Sequence, residues 1–165
     1  MKSSSFAIAA AVVLTAVTMV HAPSAQAASS VSTAVGSCLG SSSASDANLR
    51  KRPLGMRNEG ATSVFISCAA QFGYNASGVA DAVLIATNTN AQPVDLTCTL
   101  VDGVLSIVFY YPKTISIPAN DAAQIVWLPS DNGGTSFTGF ENFSCNVPSG
   151  VEINVVGFDY ESTSP

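Results

Sequence analysis

Histidine and charge are the two features that this sequence has least of. Its 165 residues contain one histidine, His21, and 10% of them are charged. Because His21 lies in an N-terminal segment that we predict to be removed, the mature chain has no imidazole. Ser-His-Asp catalysis and histidine-ligated zinc are therefore excluded. A catalytic thiolate is excluded as well, because no imidazole is present to activate it.

Basic residues are also scarce. After removal of a leader that contains Lys2, the chain has five Lys and Arg residues and eleven Asp and Glu residues, which gives a net charge of −6. With one local exception, this acidic surface has few of the cations that bind nucleic acids and anionic lipids, so neither is an expected partner. Four of the five basic residues fall within residues 50–57, namely Arg50, Lys51, Arg52 and Arg57. We interpret this run as a solvated loop; an anion or polysaccharide contact and cutting by a host protease are the alternatives.

Long apolar runs are absent beyond the N terminus. Lys2 is followed by the uncharged apolar segment Phe6–Val20, and Ala25-Gln26-Ala27 forms a small-residue cleavage site. A spanning helix needs about 20 apolar residues, so the length disfavours a membrane anchor. The pattern predicts a signal peptide at residues 1–27. We expect a secreted or periplasmic chain, without membrane insertion after cleavage.

Short β-branched and aromatic segments are abundant beyond residue 54, separated by Gly, Pro, Asn and Asp. They predict strands at residues 63–69, 79–87, 94–101, 104–111, 114–117, 122–128, 139–145 and 151–160. The Asp102-Gly103 pair predicts a hairpin turn. Residues 104–111 are apolar on both faces, which is typical of a central strand or of one beneath a loop. We see no internal repeat.

These segments predict an all-β protein, a single antiparallel β-sandwich of jelly-roll type with seven or eight strands. Residues 54–165 form the predicted sandwich domain. Residues 28–53 are rich in Ser, Ala and Gly and predict a flexible lead-in that Cys38 tethers.

Four cysteines follow the leader, at positions 38, 68, 98 and 145. An even number in a short exported chain predicts two disulfides that brace the paired sheets. Three pairings are possible; we favour Cys98–Cys145, which joins a core-facing strand position to a late strand, and Cys38–Cys68. There is no Cys-x-x-Cys motif to suggest zinc, and we expect no metal or cofactor.

A set of framework motifs occurs in order along residues 38–160. They are the Gly55-Met56-Arg57-Asn58 segment, Cys68, the strand around Cys98 and the Cys145-Asn146-Val147-Pro148 turn. With these motifs the chain resembles the small secreted four-cysteine β-sandwich proteins of Gram-negative bacteria. Ala69 follows Cys68 where many of those proteins have proline. The resemblance implies a fold and carries over no catalytic residues.

Few side chains are left as candidates for catalysis or metal binding. A carboxylate pair, drawn from Glu141, Glu152, Asp159 and Glu161, would suit a hydrolase of envelope polymers. Glu152 and Asp159 are predicted to lie on opposite faces of a strand unless a bulge intervenes. A Ser-Lys pair would use Lys113, and Asp131 with Asn132 would be weak calcium ligands.

Aromatic residues concentrate in the second half of the chain, where we expect most of them to fill the core. Tyr111 and Phe137 border turns and are predicted to be exposed binding residues, for a protein or for sugar rings. We therefore expect a secreted, non-catalytic structural or binding protein of the bacterial envelope or medium, whose partner is an unknown protein or glycan. The alternatives are the hydrolase and a pilin-like or adhesive subunit assembled through an edge strand.

Overall fold

Two antiparallel sheets pack face to face in this protein. A computed structural model describes residues 28–69, 76–104 and 106–162. The strands of these residues are β1 (Ala28–Thr33), β2 (Cys38–Gly40), β3 (Leu49–Arg52), β4 (Gly55–Asn58), β5 (Val64–Ala69), β6 (Ala76–Asn88), β7 (Val94–Val104), β8 (Ile107–Ile117), β9 (Ala122–Trp127), β10 (Glu141–Val147) and β11 (Val151–Ser162), and the helices are α1 (Ala34–Ser37) and α2 (Ser43–Asn48). Sheet A has the order β3-β4-β11-β6-β9, with β1 also paired to β11, and sheet B has the order β2-β5-β10-β7-β8. The predicted all-β sandwich is confirmed.

The lead-in predicted at residues 28–53 is part of the sandwich. Its first strand, β1, pairs in register with residues 155–160 of β11, and β2 pairs with β5. The prediction of a flexible segment is therefore wrong. Glycine and alanine are depleted in strands, and here pairing with longer neighbouring strands outweighs that preference. The predicted leader, residues 1–27, lies outside the described residues.

The hairpin of β7 and β8 turns three residues later than predicted. Val104 pairs with Ile107, so Asp102 and Gly103 belong to β7 and not to a turn. Gly103 has a φ of +113°, and a Cβ there would meet the Ile107 carbonyl oxygen. The Asp-Gly signal thus marks an irregular strand end. The strand β8 that follows is an edge strand of sheet B and not a central one, which explains how it accommodates Pro112.

Both disulfides lie within sheet B. Cys98 on β7 faces Cys145 on β10, and Cys38 on β2 faces Cys68 on β5. The predicted pairing is confirmed. The expectation that these bonds brace one sheet against the other is wrong, since each one joins neighbouring strands of the same sheet.

A stack of aromatic rings joins the two sheets instead. Phe143 on β10 stacks on Phe158 of β11, with ring centroids 5.0 Å apart and planes 3° apart. Trp127 on β9 also contacts Phe143, at a centroid distance of 5.3 Å. All three side chains are buried, so the predicted role of most aromatics as core residues is confirmed for them.

A buried asparagine forms the corner where the chain leaves β4 in sheet A for β5 in sheet B. The side-chain nitrogen of Asn58 donates to the carbonyl oxygens of Thr62 and Val147, at 2.8 and 2.9 Å. Its side-chain oxygen accepts from the backbone nitrogen of Gly60 at 2.9 Å. One amide thus satisfies three backbone groups of a tight loop.

The same corner recurs thirty residues later, between β6 and β7. Asn88 donates to the carbonyl oxygens of Gln92 and Ile117, at 2.8 and 3.2 Å, and accepts from the backbone nitrogen of Asn90. The two corners are alike in structure although we saw no internal repeat in the sequence. The sequence conceals the repeat because the loops 58–64 and 88–94 share only Asn, Ala and Val at matching positions.

Candidate functional site

The outer face of sheet B is an extensive exposed surface whose composition differs from that of the core. Alternation along β7 directs Leu96, Cys98 and Leu100 inward, so the residues between them point out. Paired residues of neighbouring strands share a face, which defines three rows that each cross four or more strands; a shorter row, Asp95 and Ser116, follows them on β7 and β8. The three rows are Tyr110, Val101, Asn142 and Ala69; Pro112, Thr99, Ser144, Ser67 and Leu39; and Thr114, Thr97, Asn146 and Phe65.

These three rows carry no ionisable side chain except the Tyr110 phenol. Their polar groups are the hydroxyls of Thr and Ser and the amides of Asn, as illustrated by the 2.8 Å contact between the Thr97 and Thr114 hydroxyls. The large exposed side chains stand around the edge of the face: Tyr110 is 67% exposed, Leu39 65% and Phe65 55%. We call these thirteen residues the neutral face.

The two aromatic residues predicted as binding candidates lie elsewhere. Phe137 is 1% exposed, so the prediction that it is exposed is wrong. Tyr111 is partly buried, packs edge-on against Phe137 at 5.3 Å and donates from its hydroxyl to the Asn132 side-chain oxygen at 2.6 Å. Burial and the nearby Asp102 carboxylate raise the pKa of Tyr111. Flanking turns suggested exposure, but these turns fold back over both rings.

A buried pair of acids lies at the end of sheet B, next to Tyr111. Asp102 on β7 faces Glu141 on β10, and they are 1% and 2% exposed. One oxygen of each carboxyl is held: Asp102 accepts from the backbone nitrogen and hydroxyl of Thr138, and Glu141 accepts from the Gly139 nitrogen at 2.6 Å. The other two oxygens, Asp102 Oδ2 and Glu141 Oε2, have no donor.

A proton on Glu141 resolves this arrangement. Burial, together with the Asp102 charge and a hydrogen bond between the two side chains, raises the pKa of Glu141 to about 7. A protonated Glu141 donates to Asp102 and so satisfies both remaining oxygens. Because the pair is buried, it forms a structural contact and not an acid and base that reach a substrate.

We expect this pair to make stability depend on pH, in a direction opposite to that of an ordinary salt bridge. The folded-state pKa of Glu141, about 7, exceeds its ordinary value of 4.5. Its stabilising contribution is therefore complete below pH 4.5 and is lost as the pH rises to about 7, by roughly 2–3 kcal/mol. Glu141→Gln keeps a neutral donor and should remove this slope.

Urea denaturation of both proteins at intervals from pH 4 to pH 8 measures the effect as the difference between their unfolding free energies. Asp95→Asn, an exposed acid of β7, is the control and should follow the wild type. A wild-type curve parallel to that of Glu141→Gln over this range would contradict the shared proton.

The remaining candidate carboxylates do not form a catalytic pair. A bulge at Asn154 does place Glu152 and Asp159 on the same outer face of sheet A. They are seven positions apart on one strand, however, which separates them by about 20 Å. Glu152 is held by Arg57 at 2.7 Å and by Asn154 at 3.0 Å. The Glu161 side chain lies outside the described part of the chain.

The basic run predicted as a solvated loop forms the β3–β4 hairpin. Glu59 pairs with Arg50 and Arg52, and Glu152 pairs with Arg57. These two acids contact three of the four cations and offset two of the four positive charges, which weakens the hairpin as an anion site. Arg52, Arg57 and Glu152, with the turn residues Pro53 and Leu54, line a shallow pocket of about 270 Å³.

Lys113 and Asp131 neutralise each other. The Lys113 ammonium lies 2.6 Å from the Asp131 carboxylate and donates to the Val126 carbonyl oxygen at 2.8 Å. Asp131 also accepts from the Leu128 nitrogen. The lysine therefore links β8 to β9 and to the turn beyond β9, a structural role that sequence spacing did not reveal.

No protein-family model matches the chain, and no curated protein matches it in sequence. Among residues 28–69, 76–104 and 106–162, no three acidic, histidine or cysteine side chains gather as metal ligands do. No helix in those same ranges has the length and apolar character to cross a membrane. The two disulfides indicate an oxidising compartment, extracellular or periplasmic.

Proposed function

We propose that this chain is a secreted, non-catalytic binding protein of the bacterial envelope or medium, which contacts its partner through the neutral face. The single observation behind this proposal is the exposure of Tyr110, Leu39 and Phe65 around a polar sheet surface. These three side chains share one face of a sheet, and we take that shared face, and not a continuous apolar patch, as the contact surface. The family resemblance suggested by the sequence is part of the proposal.

The arrangement of the acids supports a non-catalytic role. Glu141 and Asp102 are close together but buried, and Lys113 is tied to Asp131. A hydrolase needs two carboxyls that flank an accessible bond, so no observation favours that alternative. For the subunit alternative, β1 of the same chain fills the place beside β11 that a donated strand would take, whereas β8 is itself an edge strand of sheet B.

Co-sedimentation with isolated Gram-negative cell envelopes tests this proposal. We expect the oxidised mature protein to sediment with the envelopes, and Thr97→Glu to reduce the bound fraction about tenfold, because it buries a charge within the contact. Gln124→Glu adds the same charge at an exposed position of β9 and should bind like the wild type.

Two results would contradict the proposal. One is a wild-type protein that stays in the supernatant at every envelope concentration. The other is equal binding by Thr97→Glu and Gln124→Glu, which would locate the contact away from the neutral face.

A further inference from the structure

The polar groups of the neutral face are suited to one class of ligand. Each of them is a hydroxyl or an amide that both donates and accepts hydrogen bonds, as in Thr99, Ser144 and Asn146. The hydroxyls of a sugar have the same dual character. An acidic or basic polymer would find no opposite charge in the three rows, and a buried charge without a partner is costly.

The aromatic residues occupy the positions that sugar stacking requires. Tyr110 stands on the edge strand β8, 67% exposed, with Pro112 two residues along the same face. Phe65 stands on β5, three strands and two rows away, which separates it from Tyr110 by about 20 Å. The C–H faces of sugar rings pack on such rings, and a chain of several sugars spans the polar rows between them.

The distribution of apolar side chains argues against a protein partner. Protein interfaces have an apolar centre and a polar rim. The neutral face has the opposite arrangement, with hydroxyls and amides at its centre and Tyr110, Leu39 and Phe65 around it.

We infer that the neutral face binds neutral polysaccharide chains, which stack on Tyr110 and hydrogen-bond to the rows of Thr, Ser and Asn. This inference rests on the proposed function, because it names the ligand of the same surface. It makes two demands: the ligand must be uncharged, and the Tyr110 ring must contribute to its affinity.

Affinity electrophoresis in gels that contain one soluble polysaccharide tests both demands. The neutral probes are a β-glucan, dextran and a galactomannan, and the acidic probe is polygalacturonate. We expect at least one neutral probe to retard the oxidised mature protein and the acidic probe to leave it unretarded. Tyr110→Ala should weaken the neutral interaction about tenfold, the loss of one stacked ring.

Phe109→Ala is the matched control. Phe109 is the preceding residue on β8, half-exposed, and points to the opposite side of the sheet. Its removal should leave retardation unchanged. Asn142→Ala, which removes one amide from the row of Tyr110, should weaken binding by a smaller factor and guards against an effect particular to the tyrosine.

Three outcomes would overturn the inference. They are no retardation by any neutral probe, retardation by polygalacturonate alone, and equal binding by Tyr110→Ala and Phe109→Ala. If Thr97→Glu still abolishes envelope binding in such a case, the proposed function stands and only the ligand class is wrong. Self-association that Tyr110→Ala abolishes in sedimentation velocity would assign the face to a second copy of the chain.

Discussion

Replacement of Cys98 and Cys145 together by alanine should lower the free energy of unfolding by about 4 kcal/mol. The bond between these residues closes a segment of the chain with a sequence separation of 47, and its loss returns conformational freedom to the unfolded chain. Both residues are fully buried at the centre of sheet B, where alanine also removes packing contacts with the core. Urea denaturation of the oxidised proteins measures the change.

The pair Cys38 and Cys68 provides a matched comparison. Its sequence separation is 30. Because the entropic effect grows only with the logarithm of loop length, the loss of unfolding free energy in its double alanine variant should be within about 1 kcal/mol of the loss in the Cys98 and Cys145 variant. A loss below about 1 kcal/mol for both variants would mean that the bonds contribute little to the folded state. The double variants avoid the unpaired thiols that single substitutions leave.

Phe143→Ala should lower the free energy of unfolding by about 3–5 kcal/mol. The ring lies between the two sheets, stacked on Phe158 and in contact with Trp127. Its removal opens a cavity that rigid neighbouring strands cannot close. Because no disulfide joins sheet A to sheet B, this stack is a main link between them.

The control for this substitution is Phe109→Ala, which removes the same ring from a half-exposed position and should cost less than about 1 kcal/mol. Thermal and urea unfolding of the two variants should therefore differ widely. Similar losses for both would show that the aromatic stack does not join the sheets in the way described.

Alternation and turn residues were sufficient to predict the sandwich and most of its later strands. Residues 94–100 alternate cleanly, and they lie in the inner strand β7 with Cys98 facing the core as predicted. The prediction failed for β1 and β2, because pairing with distant strands sets their structure and local composition does not. Asp102 was assigned to a turn for a related reason. The Asp-Gly pair is a local signal, and it contains no information about Glu141, the buried acid that faces Asp102 from β10.

The neutral face was only half visible in the sequence. Thr97 and Thr99 mark a solvated side of β7, but the residues that join them in rows come from β5, β8 and β10. No local pattern brings Phe65 and Tyr110 onto one surface, because the register between strands decides it. Tyr111 was predicted in place of its neighbour Tyr110. Successive residues of a strand point to opposite faces, so an error of one position replaces an exposed side chain by one that faces the core.

The two asparagine corners have a consequence for the exterior of the molecule. Each corner connects a strand of sheet A to a strand of sheet B within a few residues, at the end of the sandwich. Neither connection therefore crosses the outer face of a sheet. These two connections take up none of the outer surface of either sheet. Within the described part of the chain, they leave that area open to contact from outside.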